Sequence, residues 1–315
     1  MYRSTRTPSR LRRFLVGLVG IALVGSTLTA VAVATNTFGA GAMWLRVVNR
    51  VERFMAGPVP DRPTVATVKV TEPPPETEPP TPTPATPKPG ESASPTPKPT
   101  PTPKPKPKPK PVDVNVVRHP REVFAHEIRI DWCAPAGVQM VLASFGLVNT
   151  SDATQREIAG RVHEWEAYSD SHNGEWGPGA MALALDAYGA PGYEVRAFET
   201  RMSALRDAAA AIKKTKSPAI LLAWRGAHTW VMTGYRADSD PATFRYAKIE
   251  GAYILDPWYP DISSIWGPSN PPGFFTTYRE LQDNFLEWKR PEGRYEDRDG
   301  LYITVVPTKA RAATG

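Results

Sequence analysis

The pattern of apolar and polar residues divides this chain of 315 residues into three parts. Residues 14–36 are apolar or small and contain no charged side chain. Residues 57–112 are dominated by Pro-Thr and Lys-Pro repeats, whereas residues 116–308 carry apolar positions at the spacing of helices and strands. This last part is the candidate folded domain, and its roughly 200 residues are enough for one compact core.

Helical spacing dominates the first half of this domain and strand spacing the second half. Four helices are predicted, over residues 133–146, 153–163 with Asp152 as N-cap, 178–188 and 203–214. Four buried strands are predicted, over residues 219–224, 228–235, 253–255 and 301–306. A capping box of Thr277 and Glu280 opens a further helix that runs to about Trp288. Helices followed by strands indicate an α+β fold, with the N-terminal helices packed on an antiparallel sheet.

The apolar run is long enough to cross a bilayer, which takes about 20 residues at 1.5 Å each. Five arginines precede it within residues 1–13, which favours a cytoplasmic N-terminus. We therefore expect a single-pass protein of the bacterial cell membrane, anchored by residues 14–36, with its C-terminal domain outside the cytoplasm. Ala32-Val33-Ala34 resembles a signal-peptidase site, so release of a secreted protein is the alternative. The length of the run favours the anchor.

Residues 57–112 cannot build a core, because Pro, Thr and Lys dominate them. We interpret them as a disordered, extended stalk that could reach on the order of 170 Å at about 3.1 Å per residue. Residues 1–115 contain 16 Lys and Arg against 7 Asp and Glu, whereas residues 116–315 contain 22 against 25. The folded domain is thus slightly acidic, which argues against a nucleic-acid partner.

The only cysteine, Cys133, stands at the start of the first predicted helix of the domain. The helix dipole lowers the pKa of a thiol at this position and favours the nucleophilic thiolate. A lone cysteine is also often a small buried residue without a catalytic role. The other groups near Cys133 must therefore distinguish a catalytic role from a structural one. His228 begins one predicted strand and Asp256 follows the next, so antiparallel pairing would bring them together. A thiol, an imidazole and a carboxylate are the groups of a nucleophilic triad.

Three segments resemble the papain-like cysteine peptidases of the C39 type: residues 131–136, 227–235 and 254–258. The resemblance implies a papain-like peptidase domain over residues 116–308. It also implies Cys133 as nucleophile, His228 as general base and Asp256 as its orienting partner. The substrate would be a peptide or protein, including cell-wall peptides, and neither a cofactor nor a metal is expected.

One position departs from the family pattern. The family places a glutamine about six residues before the cysteine, where its amide helps to bind the oxyanion, and the matching residue here is Glu127. A carboxylate repels developing negative charge unless it is protonated. Three explanations stay open: Glu127 is protonated by burial, the match is shifted, or the domain is slow or inactive.

The stretch from His163 to Glu175 is rich in acidic residues but fits no standard metal motif. We interpret it as a solvated helix end and loop, in which Trp165 and Trp176 could line a substrate cleft. Two alternatives to the peptidase remain. One is a binding module of the cell envelope on an inactive peptidase scaffold, and the other is a peptidoglycan amidase or endopeptidase.

Overall fold

A computed structural model of the chain describes residues 25–35, 37, 40–57, 59, 64–71, 108–171 and 176–310. The chain forms two compact units, Met1–Val59 and Pro60–Gly315. The described part of the first unit is helical, with α1 over residues 25–34 and α2 over Ala40–Ala56.

Among the described residues, no helix is both long and apolar enough to cross a membrane. The 17 residues of α2 include Arg46, Arg50, Glu52 and Arg53. This finding contradicts the predicted single-pass anchor and the predicted membrane localisation. Residues 14–24, the first half of the predicted span, lie outside the described residues.

The second unit mixes helices and strands. Its helices are α3 (Pro120–Val123), α4 (Cys133–Ser144), α5 (Asp152–Gly160), α6 (Pro178–Ala187), α7 (Arg201–Thr215) and α8 (Tyr278–Asn284). Its strands are β1 (Thr67–Lys69), β2 (Val112–Asn115), β3 (Tyr193–Phe198), β4 (Ala219–Ala223), β5 (His228–Ala237), β6 (Ile249–Leu255), β7 (Ile262–Ser263), β8 (Gly267–Pro268), β9 (Phe274–Thr277) and β10 (Tyr302–Pro307).

One large sheet organises this unit, in the order β1-β3-β10-β4-β5-β6-β9, and β2 pairs with β5. The pair of β1 and β3 is parallel, and the other pairs of this sheet are antiparallel. The predicted α+β fold, with helices preceding a mainly antiparallel sheet, is therefore confirmed.

Helices cover both faces of the sheet. Ile220 and Leu222 of β4 pack in the cluster that contains α4 and α6, whereas Leu221 between them packs in the cluster that contains α7 and α8. All five residues of β4 are buried, because alternate side chains point to opposite faces and each face is covered. This explains why β4 reads as a continuous apolar run rather than an alternating one.

Several predicted boundaries shift by a few residues. The N-cap of α5 is Ser151 rather than Asp152, and its side chain accepts a hydrogen bond from the Thr154 N–H. The capping box of Thr277 and Glu280 is present, but α8 ends at Asn284 because the chain becomes extended at the next residue. Within the range predicted to be a stalk, Thr67–Lys69 forms a strand on β3, and residues 72–107 lie outside the described residues.

A buried ion pair ties distant segments of this unit together. Arg298 binds a carboxylate oxygen of Asp170 at 2.9 Å and the Asp170 carbonyl oxygen at 2.7 Å, and it also donates to the Thr67 hydroxyl. The same carboxylate accepts the N–H groups of Gly179 and Ala180 at the start of α6. Both charged side chains are almost fully buried, so their interaction is little screened by water.

We expect Arg298→Met to lower the free energy of unfolding by about 3–5 kcal/mol, because it leaves a buried carboxylate without its counter-charge. Urea denaturation followed by circular dichroism measures this loss. The control is Lys289→Met, which removes an exposed pair with Glu292 and should cost less than about 1 kcal/mol. Equal effects of the two substitutions would contradict the role of the Arg298 pair.

Candidate active site

Cys133 is the first residue of α4, and α4 packs directly against β5. The close approach depends on Gly137, since a Cβ there would lie 2.5 Å from the Thr229 methyl carbon. Nine of the residues that follow Cys133 in this helix are buried, so the helix is held firmly in the core. The packing brings Cys133, a half-buried residue, to the start of β5, where its sulfur lies 4.0 Å from the carbonyl oxygen of Ala227, the residue before the strand.

His228 and Asp256 meet because β5 and β6 are antiparallel neighbours. Val231 pairs with Leu255, so the start of β5 lies beside the residues that follow β6. The Nε2 atom of His228 lies 2.7 Å from the Asp256 Oδ1 atom, and both side chains are buried. The Trp258 N–H donates to the same carboxylate oxygen at 2.9 Å and fixes the carboxylate further.

Tryptophan rings enclose the imidazole. Trp224 stacks on the His228 ring with centroids 3.9 Å apart and planes 16° from parallel, and Trp258 stands perpendicular to it at 6.4 Å. Trp224, Arg225 and Gly226 all have positive φ, an uncommon conformation for a residue with a side chain. A Cβ at Gly226 would lie 2.3 Å from the Trp288 ring. This strained turn holds the stacking indole in place immediately before β5.

The thiol, the imidazole and a second carboxyl group converge. Glu127, Cys133 and His228 each offer one donor atom, and these three atoms lie within 4.8 Å of one another. Asp256 binds the Nε2 atom of the imidazole, so the four predicted site residues form one continuous cluster. They lie up to 129 positions apart in the chain, between residues 127 and 256.

The segment that carries Glu127 is clamped by backbone and amide hydrogen bonds. The Glu127 N–H donates to the Pro257 carbonyl oxygen, directly beside Asp256. On its other side, the Gln155 amide accepts from the Ile128 N–H and donates to the His126 carbonyl oxygen. These hydrogen bonds fix the position of the backbone at Glu127.

Gln155 is itself held by Gln139, a wholly buried residue of α4, whose Oε1 accepts a bond from the Gln155 amide. This pair is not among the residues predicted from the sequence. The available signal was a glutamine within the otherwise apolar run Val138–Leu142, because a buried amide must find partners.

Burial dominates the electrostatics of the site. Burial is the largest cause, and together with the nearby carboxylates of Asp256, Asp131 and Asp261 it raises the pKa of Glu127 to about 9. The Glu127 carboxyl is therefore neutral at pH 7. Both of its oxygens are buried and lack a hydrogen-bond partner among the described residues.

The predicted lowering of the thiol pKa is wrong for this resting state. Burial, followed by the negative charge of Glu127 when ionised, raises the pKa of Cys133 to about 12, and hydrogen bonds from Thr229 offset only part of this effect. Desolvation is the largest cause, because burial disfavours the charged thiolate. Cys133 is therefore a neutral thiol before any substrate binds.

The acidic stretch after His163 is not a solvated loop throughout. Asp170 and Glu166 are buried, because Asp170 binds Arg298 and caps α6, and Glu166 binds His163. Trp165 also packs in the core, with its ring 5.7 Å from Trp176, rather than lining a cleft. Residues 172–175 of this stretch lie outside the described residues.

A pocket of about 260 Å³ opens beside Asp256. Tryptophan rings, carboxylates and small polar side chains line it, including Trp224, Trp266, Glu280 and Asp283. The Trp224 indole N–H donates to Asn284, which belongs to the same wall. The pocket therefore adjoins Asp256 and the Trp224 indole that stacks on the imidazole.

Residues 114–281, a little over half of the chain, match the Peptidase_C39 like family. The chain therefore belongs to this family of cysteine peptidases, as its resemblance to the C39 type predicted, and the matched range contains all four predicted site residues. A similar solved structure is described as "Crystal structure of a double glycine motif protease from AMS/PCAT transporter in complex with the leader peptide". The two chains are 18% identical in sequence, and the match covers 62% of this chain and 99% of the chain in the solved structure, with a TM-score of 0.30. No curated protein gives a significant match.

The raised pKa of Glu127 predicts how stability depends on pH. Between its ordinary value of 4.5 and about 9, the folded protein keeps a proton that the unfolded chain releases. The contribution of the neutral carboxyl group to the free energy of unfolding is therefore fully present below pH 4.5 and is lost as the pH rises toward 9. Glu127→Gln cannot ionise at this position. We therefore expect its free energy of unfolding, relative to that of the wild type, to increase by about 2–4 kcal/mol when the pH is raised from 5 to 8.

Urea denaturation at both pH values measures this difference. Glu164→Gln, at an exposed glutamate that pairs with Arg161, is the control and should follow the wild type. A stability gap between Glu127→Gln and the wild type that stays constant with pH would contradict burial of a neutral Glu127.

Proposed function

We propose that the protein cleaves amide bonds of peptides by acyl transfer to Cys133, with His228 as the base and Asp256 as its positioning residue. The observation that carries this proposal is the convergence of the Cys133 sulfur with an imidazole whose Nε2 is bound by a buried carboxylate. Because Asp256 occupies Nε2, Nδ1 is the nitrogen that is left to exchange a proton with the thiol.

The reaction follows from these positions. His228 takes the thiol proton as the sulfur attacks the substrate carbonyl carbon, and a carbon–sulfur bond forms. The imidazolium then donates this proton to the leaving amine, and the carbon–nitrogen bond breaks. Water, deprotonated by the same imidazole, attacks the thioester, releases the acid product and restores the thiol. The Asp256 carboxylate stabilises the imidazolium in both halves of the reaction.

Glu127 fits the oxyanion position when its carboxyl group is neutral. Its O–H can then donate a hydrogen bond to the developing oxyanion, as the amide of the family's usual glutamine does. The backbone N–H of Cys133, at the first position of α4, is the second donor. Protonation of Glu127 also removes the negative charge that opposes ionisation of the thiol. This supports the first of the three explanations for the departure from the family pattern.

The raised thiol pKa favours a second function, a peptidase scaffold that binds a peptide without cleaving it. A buried thiol with a pKa of about 12 is protonated at neutral pH. In an active peptidase the thiol must lose this proton once the substrate has bound. The proton would pass to His228 as the sulfur attacks the substrate carbonyl carbon. The two functions differ in one measurable respect, which is turnover of a bound peptide.

We expect Cys133→Ala to abolish peptide hydrolysis, by at least about 10⁴-fold, and to abolish labelling by thiol-directed probes, because it removes the nucleophile. Asp256→Asn should lower kcat by roughly 10²–10⁴-fold through loss of imidazole orientation. A library of linear peptides, extended with cell-wall stem peptides, provides the substrates.

The control for these two variants is Asp186→Asn, on the C-terminal turn of α6 and outside the site. Peptide binding by the wild type with no cleavage of any member of the library, or equal cleavage by Cys133→Ala, would refute the peptidase proposal and leave the binding scaffold.

The pH dependence of activity tests the neutral Glu127. A rise in pH through about 9 ionises Glu127, which removes a donor to the oxyanion and adds negative charge beside the sulfur. We expect kcat/KM of the wild type to fall above pH 9 and that of Glu127→Gln to persist to higher pH. Glu166→Gln, at a buried glutamate that binds His163, is the matched control. Identical alkaline limbs for the wild type and Glu127→Gln would contradict this role.

A further inference from the structure

Glu127 is a buried polar side chain with an unfilled bonding capacity. Only 4% of the residue is exposed, yet neither carboxyl oxygen has a hydrogen-bond partner within the described part of the chain. A buried carboxyl group without partners carries a desolvation cost of about 1–3 kcal/mol or more. Such a group is a candidate ligand for something that enters the site.

The atoms around this carboxyl group form a mixed donor set. A carboxyl oxygen of Glu127, the Cys133 sulfur and a ring nitrogen of His228 lie within 4.8 Å of one another. A thiolate, an imidazole and a carboxylate together suit zinc rather than magnesium or calcium, which prefer oxygen ligands alone. Bond lengths of about 2.0–2.3 Å around a tetrahedral zinc ion require donors about 3.5 Å apart, so an inward movement of about 1 Å completes the site.

The surroundings of His228 match those of a metal ligand. Histidines that bind metals usually donate their second N–H to a carboxylate, which fixes the ring and strengthens the metal bond. The His228 Nε2 atom lies 2.7 Å from the buried Asp256 carboxylate, so Nδ1 is the nitrogen left for a metal. Three protein ligands leave the fourth tetrahedral position to water.

We propose that Glu127, Cys133 and His228 form a binding site for one zinc ion. Binding displaces the protons of the Cys133 thiol and the Glu127 carboxyl to the solvent, and zinc–sulfur, zinc–oxygen and zinc–nitrogen bonds form without any change of oxidation state. Because the ion holds both the nucleophile and the base, zinc inhibits hydrolysis. This inhibition rests on the proposed peptidase function, whereas the binding site itself does not.

The binding test uses the full chain, freed of metal by a chelator. Competition with a chromophoric chelator measures the affinity for zinc, and substitution with cobalt reports the ligands by absorption. We expect one ion per chain and a thiolate-to-cobalt charge-transfer band that Cys133→Ser abolishes. Glu127→Gln should weaken zinc binding at least tenfold, since loss of an outer partner of a ligand alone costs about 10–100-fold.

His163→Ala is the control, because His163 is exposed, pairs with Glu166 and could hold zinc at the surface. It should leave the affinity and the cobalt spectrum unchanged. Equal zinc affinity for Glu127→Gln and the wild type would overturn the proposal, as would binding that His163→Ala removes. Cobalt spectra with no thiolate band would overturn it as well.

Activity separates this proposal from the proposed function. If the metal-free wild type cleaves peptides and zinc does not bind at the site, the zinc proposal fails and the peptidase stands. If zinc binds with the expected dependence on Glu127 and Cys133 but the metal-free protein cleaves no peptide, the peptidase proposal fails and the zinc site stands.

Discussion

The hydrogen bond between His228 and Asp256 is the constraint on which the site depends. It forms because β5 and β6 are antiparallel neighbours, so the beginning of one strand lies beside the residues that follow the other. Both partners are buried, and a buried charge-assisted hydrogen bond is stronger than one in water. With the imidazole fixed in this way, α4 needs only to pack on β5 to bring Cys133 to it.

The elements that carry the chemistry could be predicted because each has a local signal. Cys133 begins a helix rich in buried apolar residues, β4 is a continuous apolar run, and the capping box of Thr277 marks the start of α8. The convergence of Cys133 and His228 followed from the order of these elements.

Other features depend on partners that are remote in sequence, and local patterns cannot reveal them. Asp170 reads as one of several surface acids, and only the distant Arg298 makes it a buried cap. The short strand β1 forms on β3, which lies more than 120 residues later. The pKa of Cys133 depends mainly on how deeply the folded site is desolvated, which the local sequence does not display.

Glu127 shows how a site can depart from the rules that stabilise the rest of a fold. Its carboxyl group is buried and interacts electrostatically with the carboxylates of Asp131, Asp256 and Asp261. An apolar or amide side chain at this position would make the folded protein more stable. The clamp of Gln155 and the Pro257 carbonyl oxygen keeps its backbone there nonetheless. Such conflicts concentrate at functional sites, where reactivity opposes stability.

The groups packed around His228 determine how its imidazole can exchange protons. The Trp224 indole covers one face of the ring, Trp258 stands against it, and Asp256 engages Nε2. A 180° flip of the ring would move Nε2 away from Asp256 and break this hydrogen bond, so the carboxylate fixes the orientation of the ring. Because Asp256 engages Nε2, Nδ1 is the ring nitrogen that remains to exchange protons with other groups.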